Sequence, residues 1–530
     1  MSIYLGFDSS TQGLTAIAIE VSGASRHVAF QRTLNYERDL PRYGTANGVL
    51  PQADPLVATS SPLMWAEALD RMMGIIATES GIDLSRIRAI SGSGQQHGSV
   101  YLNSSASGVL AALDPHTPLA DQISGIFSRS DSPIWMDSST ASQCAAITRA
   151  VGGTRALAEL TGSRAFERFT GPQIRKYFET DPAGYSRTSR IHLVSSFMAS
   201  LLAGADAPIE PGDGSGMNLM DIAARKWAPR ALDATAPGLE ARLPALGPSW
   251  AVAGPLSPYW TGRYGFPAAR VIAWSGDNPC SLVGTGLVSQ GRIAISLGTS
   301  DTLFGFMREP AIDPSFTGHV FGAPTGGYMS LICFKNGSLA RERIRDAAGL
   351  TWDGFSRALR ATPAGNGGRL MLPWFDAEIT PEVLQPGVHR FGLDPADGPA
   401  NVRAVVEAQM MAMANHSAWM GVTVDTIYAT GGASRNRDIL QVMADVFGAK
   451  VDQLEVGNSA CLGAALRAYH ADELAEGRNV PWEDVVAGFV EPIAGSRVSP
   501  IPEHTTIYQD LRRVYAAREA EALSTVTSAL

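Results

Sequence analysis

Short apolar runs separated by turns of small polar residues alternate with longer stretches of three- and four-residue apolar spacing along this chain. The first run, Ile3-Tyr4-Leu5, enters Gly6-Phe7-Asp8-Ser9-Ser10-Thr11-Gln12-Gly13, and residues 14–19 lead out, which predicts strand, hydroxyl-rich turn, strand. Residues 30–60, rich in Pro, Gly and polar residues, read as surface loop. Ser61-Pro62 then starts a helix, with Ser as N-cap and Pro at the first helical position. Leu63, Ala66, Leu69, Met73 and Ile76 give that helix one buried face. Residues 88–102 predict strand, turn, strand around Gln95-Gln96-His97-Gly98. Residues 160–178 read as helix-rich and basic, and residues 206–216 as a loop carrying Asp213.

The second half opens with Val271-Ile272-Ala273-Trp274-Ser275-Gly276-Asp277-Asn278-Pro279, a strand ending in a polar turn. Residues 293–304 echo the chain's beginning: apolar strand, the turn Gly298-Thr299-Ser300, apolar strand. The echo suggests two related domains, each presenting a hydroxyl-rich hairpin turn. A long helix follows at 402–420, then a strand at 426–430 feeding Gly431-Gly432-Ala433-Ser434. The next helix, 435–447, ends where Gly448 suits a C′ position. Residues 458–470 form a helix of small residues, and from 507 a charged amphipathic helix lies on the surface. Strands alternating with helices define the α/β class. The divisions expected are 1–267, 268–490 and a helical tail, 491–530.

At 530 residues the chain exceeds one ordinary core. A net charge of −9 argues against nucleic acid or membrane as partners, though not against a phosphorylated ligand held by local N–H donors. The four cysteines lie far apart without a CxxC pair, which suits a reducing compartment. No signal peptide and no apolar stretch long enough to span a bilayer is visible, so a cytoplasmic location is expected.

Several positions invite chemistry, and each has a plainer reading. The turn after Asp8 suits an anion, with the carboxylate reaching phosphate through Mg²⁺, or is an ordinary polar turn. Gly431-Gly432 before a helix lets a ligand approach the backbone, or makes a tight connection. No GxGxxG fingerprint or P-loop accompanies it. Asp277 with Asn278 offers an acceptor and an amide donor to a polyol, while Asp213 and Asp277 also suit turns and caps. His97 sits at a glycine-flanked turn, open to substrate or simply at the surface, and Arg168 reads as a solvated helix charge unless drawn inward.

Taken in order, Asp8 to Gln12, Gln95 to Gly98, Asp213-Gly214-Ser215-Gly216, Gly276 to Pro279, Ser296 to Ser300 and Gly431 to Ser434 form a colinear set. With Leu160-Thr161-Gly162-Ser163-Arg164-Ala165, Glu167-Arg168-Phe169-Thr170-Gly171, Ser215-Gly216-Met217-Asn218-Leu219 and Cys333-Phe334-Lys335-Asn336-Gly337-Ser338-Leu339, the sequence resembles the FGGY family of carbohydrate kinases. It is most similar to the long, eukaryotic-type branch that acts on D-xylulose. The resemblance implies two actin-like (ribonuclease H-like) ATPase domains with a catalytic cleft between them. The first would hold the sugar and one phosphate hairpin, the second ATP. It implies ATP-dependent, Mg²⁺-assisted conversion of D-xylulose to D-xylulose 5-phosphate by a monomer or homodimer. His97, Arg168, Asp277, Asn278 and Gln96 would bind sugar. Ser10, Thr11, Gln12, Gly298, Thr299, Ser300, Trp352, Gly431, Gly432 and Asn436 would bind ATP. Asp277 would be the general base, with Asp213 its competitor, and Asp8 would orient Mg²⁺ through water. Gln95-Gln96-His97-Gly98 replaces the Gln-Met-His-Gly common in bacterial relatives. L-xylulose, D-ribulose or another polyol remain alternative substrates, and a non-catalytic nucleotide switch an alternative class.

Overall fold

The opening apolar runs pair as an antiparallel hairpin: β1 (Ser2–Ser9) against β2 (Gly13–Ser22), with Asp8 opposite Thr15. β2 continues into β3 (Ser25–Asn35), so residues 30–35 are strand rather than loop. β3 is the sheet's edge and mostly exposed, which removes the apolar alternation that marks a buried strand. β4 (Ile87–Gly94) lies parallel to β1, with Ser9 opposite Gly94. β5 (Val252–Pro255), β6 (Arg270–Ile272) and β7 (Ser275–Gly276) complete a seven-stranded sheet of order β5-β6-β4-β1-β2-β3, β7 also pairing with β4. Gly276 stands opposite Gly94 and Ser9 opposite Gly94, so the chain leaves β1, β4 and β7 side by side. Outside the carboxyl ends of parallel strands is where such sheets bind ligands.

The computed structural model describes residues 1–23, 25–455 and 457–527, which fall into two compact units. Residues 528–530 of the expected tail lie outside the described residues. The first unit comprises 1–288, 320–329 and 457–490, whereas the sequence pattern put the division at 267/268. The difference comes from later segments that join the first unit, helices Asp277–Gly284 and Ser459–Ala475 among them. Helix Pro62–Glu79 covers one face, with Pro62 at N1 and Trp65, Leu69, Met72 and Met73 buried. Helix Ser459–Ala475 covers the other, seating Cys461, Ala465 and Leu466 beside Tyr4, Ile17 and Ile19. A small residue on β1 permits the approach: a Cβ on Gly6 would lie 2.3 Å from the Cys461 carbonyl oxygen.

The second unit comprises 289–319, 330–456 and 491–530. The hairpin β8 (Arg292–Leu297) and β9 (Asp301–Met307) repeats the opening pattern, with Leu297 opposite Asp301. β10 (Thr426–Thr430) lies parallel to β8, and β11 (Lys450–Gln453) parallel to β10. Helix Pro502–Thr527, expected on the surface, helps to build this unit's interior. Tyr508 and Tyr515 are fully buried, and Tyr508 Oη donates to Glu407 at 2.6 Å. Among the described residues no helix is long and apolar enough to cross a membrane.

Candidate active site

Three chain exits from the first sheet carry the predicted groups. Asp8 stands next to last in β1, partly exposed, and its Oδ1 accepts from Ser93 Oγ at 2.7 Å. Burial pushes its pKa up to about 7, the Asp277 charge adding to the rise and the Ser93 hydroxyl opposing it. The following turn closes on itself, Ser10 N and Oγ both donating to the Gly13 carbonyl at 3.0 Å. Thr11 Oγ1 accepts from Trp135 Nε1 at 2.8 Å and donates to Gln95 Oε1 at 3.4 Å, while Gln12 is exposed.

Beyond β4, Gln96 and His97 are buried rather than at the surface, at 2% and 6% exposure. His97 adopts a positive φ of 72°, and its Nδ1–H donates to the Gly216 carbonyl at 2.7 Å. That tautomer leaves Nε2 an acceptor. Its ring stacks on Phe169 at 4.3 Å. Burial, then the Arg168 charge, lowers its pKa to about 3, so the ring is neutral. Arg168 precedes helix Thr170–Thr180 rather than riding on one, and lies half-buried over Phe166 and Phe169, at 4.9 and 5.6 Å from the ring centroids.

Beyond β7 the chain enters helix Asp277–Gly284 directly, without the expected turn. Asp277 Oδ1 accepts from Asn278 N at 2.8 Å, Asn278 Nδ2 at 3.1 Å and Gln96 N at 3.4 Å. The residue remains partly exposed, and burial pushes its pKa up to about 6. Asn278 Nδ2 also donates to Gln96 Oε1 at 2.9 Å. Asp213, in contrast, is 1% exposed. Its Oδ2 accepts from Ser195 Oγ at 2.5 Å, and among the described residues Oδ1 is buried without a hydrogen-bond partner. Burial raises its pKa well above the ordinary carboxylate range, with Asp277 and Glu210 adding to the rise.

Sequence reasoning missed the charge behind these acids. Arg467, 1% exposed, donates through Nη2 to the carbonyls of Ala273 (2.7 Å) and Ser249 (3.1 Å), and through Nη1 to Gly92 (3.3 Å). Its one visible cue is an arginine inside a helix otherwise rich in small residues, six of them Ala.

In the second unit the turn 298–300 leaves Thr299 exposed, and Ser338 N donates to the Gly298 carbonyl at 2.9 Å. Asp301 behind it is fully buried and takes a two-pronged ion pair from buried Arg341, at 2.8 and 3.0 Å. Gln409 Oε1 accepts from Arg341 at 2.7 Å. Neither partner was singled out in the sequence. Gly431 has φ 84°, and a Cβ there would lie 2.6 Å from the Leu297 carbonyl oxygen, whereas Gly432 borders open space. A cavity of about 700 Å³ is lined by Ser338, Trp352, Ser356, Gly432 and Asn436 among others. Asn436 is the N-cap of helix Arg437–Phe447, with Oδ1 accepting from Asp438 N at 3.0 Å and Nδ2 donating to Ser356 Oγ at 2.8 Å. Trp352 is 42% exposed and stacked under Arg345 at 4.4 Å.

Residues 131–284 match the N-terminal domain of the FGGY family of carbohydrate kinases, and residues 293–471 its C-terminal domain. The chain belongs to this family and is an enzyme of the sugar kinase class. It is 46% identical to xylulose kinase of Mus musculus, over 98% of this chain and 94% of that protein. It is 44% identical to xylulose kinase 2 of Arabidopsis thaliana, over 88% and 87%. The crystal structure of xylulose kinase from Rhodospirillum rubrum matches with a TM-score of 0.81 at 19% identity, covering 99% of each chain. The fold is the actin-like ATPase fold of these kinases.

Proposed function

We propose that the protein transfers the γ-phosphoryl group of ATP to D-xylulose, giving D-xylulose 5-phosphate, with Asp277 as general base. The observation that carries the assignment is the contrast between two carboxylates. Asp277 has one oxygen tethered by three N–H donors while the side chain keeps solvent access. Asp213 is sealed, and among the described residues its side chain's hydrogen-bond partner is the Ser195 hydroxyl. A base must reach the hydroxyl whose proton it takes. The names of the two long relatives support the sugar.

Phosphoryl transfer asks a protein mainly for alignment and charge neutralisation. Asp277 takes the proton of the attacking hydroxyl, held in aim by Asn278 and the Gln96 amide. His97 Nε2 accepts from a sugar hydroxyl, and Arg168 donates to the sugar from its seat over Phe169. In the first unit Ser10, Thr11 and Gln12 are the phosphate contacts; Gly298, Thr299 and Ser300 belong to the second unit's own nucleotide site. The cavity beside Gly431, Gly432 and Asn436 takes the nucleoside, its volume within the range typical of ligand pockets. Trp352 flanks it.

Among the described residues no group of three or more His, Cys, Asp or Glu side chains is placed to hold a metal. Asp8 instead offers one carboxylate with Oδ1 fixed by Ser93. Such a donor fits Mg²⁺, which binds through one or two carboxylates together with water and substrate phosphates. Mg²⁺ bound there supplies positive charge to the phosphate oxygens. In a coupled ADP-release assay over a sugar panel, D-xylulose is expected to give the highest kcat/KM. A higher value for L-xylulose or D-ribulose overturns the sugar assignment, and sugar-independent ATP turnover overturns the kinase reaction.

A further inference from the structure

Behind Asp277 lies a seam of buried polar groups that the reaction above does not use. Glu210 is 1% exposed, and its Oε2 accepts from Gly212 N at 2.8 Å and from Ser275 Oγ. Ser275 is fully buried and stands two residues before Asp277. The Gly212 carbonyl accepts from Gln96 Nε2 at 3.2 Å, and Gln96 Oε1 accepts from the Asn278 amide at 2.9 Å. One carboxylate therefore grips both approaches to the base: the strand Ser275–Gly276 directly, and the Gln96–Asn278 bridge through Gly212.

Space around this seam is tight. A Cβ on Gly276 would lie 2.4 Å from Gln96 Cγ and 3.0 Å from Asp213 Oδ1, and one on Gly212 2.6 Å from Glu210 Oε2. Packing alone thus confines Gly276, but the direction of the chain leaving it is set by the hydrogen bonds on either side. Arg467, the nearby cation, binds carbonyls rather than Glu210, among them that of Ala273, two residues before Ser275. A buried acid paired with a hydroxyl and an amide is costly to retain unless its geometry matters.

We propose that Glu210 is a positioning residue for Asp277, fixing the strand end and the Gln96–Asn278 bridge that aim the base at the sugar hydroxyl. The inference rests on Asp277 being the base. Misplacement of a reacting group by about 1 Å can cost roughly 100-fold in rate.

The test compares Glu210→Gln, Glu210→Ala, Ser275→Ala and the double Glu210→Ala/Ser275→Ala variant as full-length protein. Each is assayed for kcat and for KM of D-xylulose and ATP, with thermal melts alongside. Glu210→Gln keeps an acceptor of the same shape and is expected within about 3-fold of wild-type kcat, while Glu210→Ala loses roughly 100-fold with KM for ATP unchanged. Ser275→Ala is expected to lose about 10-fold, and the double variant to be no worse than Glu210→Ala, since Ser275→Ala removes one of the two connections that Glu210→Ala already removes. A merely structural role would lower melting temperature without this split between kcat and KM or rescue by Gln. Unchanged kcat in Ser275→Ala overturns the proposal even if Glu210→Ala fails to fold, as does Gln no better than Ala. Asp277→Asn in the same assay separates the two readings. Retained kcat there removes the base itself; its collapse beside an unaffected Glu210→Ala removes only the positioning role.

Discussion

Asp277 must be held still and yet kept basic. Three N–H donors fix one oxygen, and burial lifts its pKa to about 6. Only the ionised form accepts a proton, so kcat/KM for the sugar, measured at saturating Mg²⁺-ATP so that Asp8 stays ionised, is expected to fall about tenfold per pH unit below about 6 and to level off above it. A break near the ordinary carboxylate value, about 4, contradicts this. The same shift costs stability. Between about pH 4 and 6 the folded state binds the proton that the unfolded state releases, so the stability that proton gives is full below 4 and lost as pH rises through 6, leaving the cost at higher pH. Asp277→Asn is therefore expected to melt higher than wild type at about pH 8, by a margin that shrinks at about pH 5. His97 follows the opposite logic. Burial and Arg168 hold it neutral, with a pKa of about 3, and its Nδ1–H is committed to Gly216. His97→Ala should raise KM for the sugar and leave KM for ATP unchanged; the reverse contradicts its place.

At the scale of elements, the second hairpin depends on a buried charge pair. Asp301 and Arg341 are both fully buried, and Gln409 Nε2 carries the network to the Asn336 and Gly337 carbonyls at 2.7 and 2.9 Å. Arg341→Met strands the Asp301 carboxylate, at a cost of about 3–5 kcal/mol. The expected result is a lower melting temperature and weaker ATP binding, with Asp301→Leu/Arg341→Met recovering much of the loss. In sequence Arg341, Arg343 and Arg345 look alike. Only Arg341 falls on the face of helix Ser338–Ala347 that is buried with Ala340 and Ile344. Helix Ser459–Ala475 poses the related problem of close approach. A Cβ on Gly463 would lie 1.9 Å from the Cys280 carbonyl oxygen, in the helix that begins at Asp277. Gly463→Ala is expected to lower both melting temperature and kcat, and a neutral effect on both contradicts the packing described.

For the molecule as a whole, what was legible in the sequence was local. The two hydroxyl-rich hairpins, the helix from Pro62 and the strand before Gly431 follow from period and turn chemistry. What depends on distant chain coming together was not. Residues 457–490 pack with the first unit although they follow most of the second, because small residues at Gly6 and Gly463 let a late helix sit on the first sheet. Ser275 and the reach of Glu210 to it carry no local signal, and Arg467 carries only its place in a helix of small residues, since their partners lie far along the chain. Trp135 on Thr11 is a further case. Asp277 taking the sugar's proton is the step on which the other roles depend. The most direct test is the single-turnover rate of D-xylulose 5-phosphate formation with saturating Mg²⁺-ATP in wild type, Asp277→Asn and Asp213→Asn. The result expected is a loss of roughly 10²–10⁴-fold in Asp277→Asn with ATP affinity intact, and a far smaller change in Asp213→Asn. Loss in Asp213→Asn with Asp277→Asn still active would contradict it.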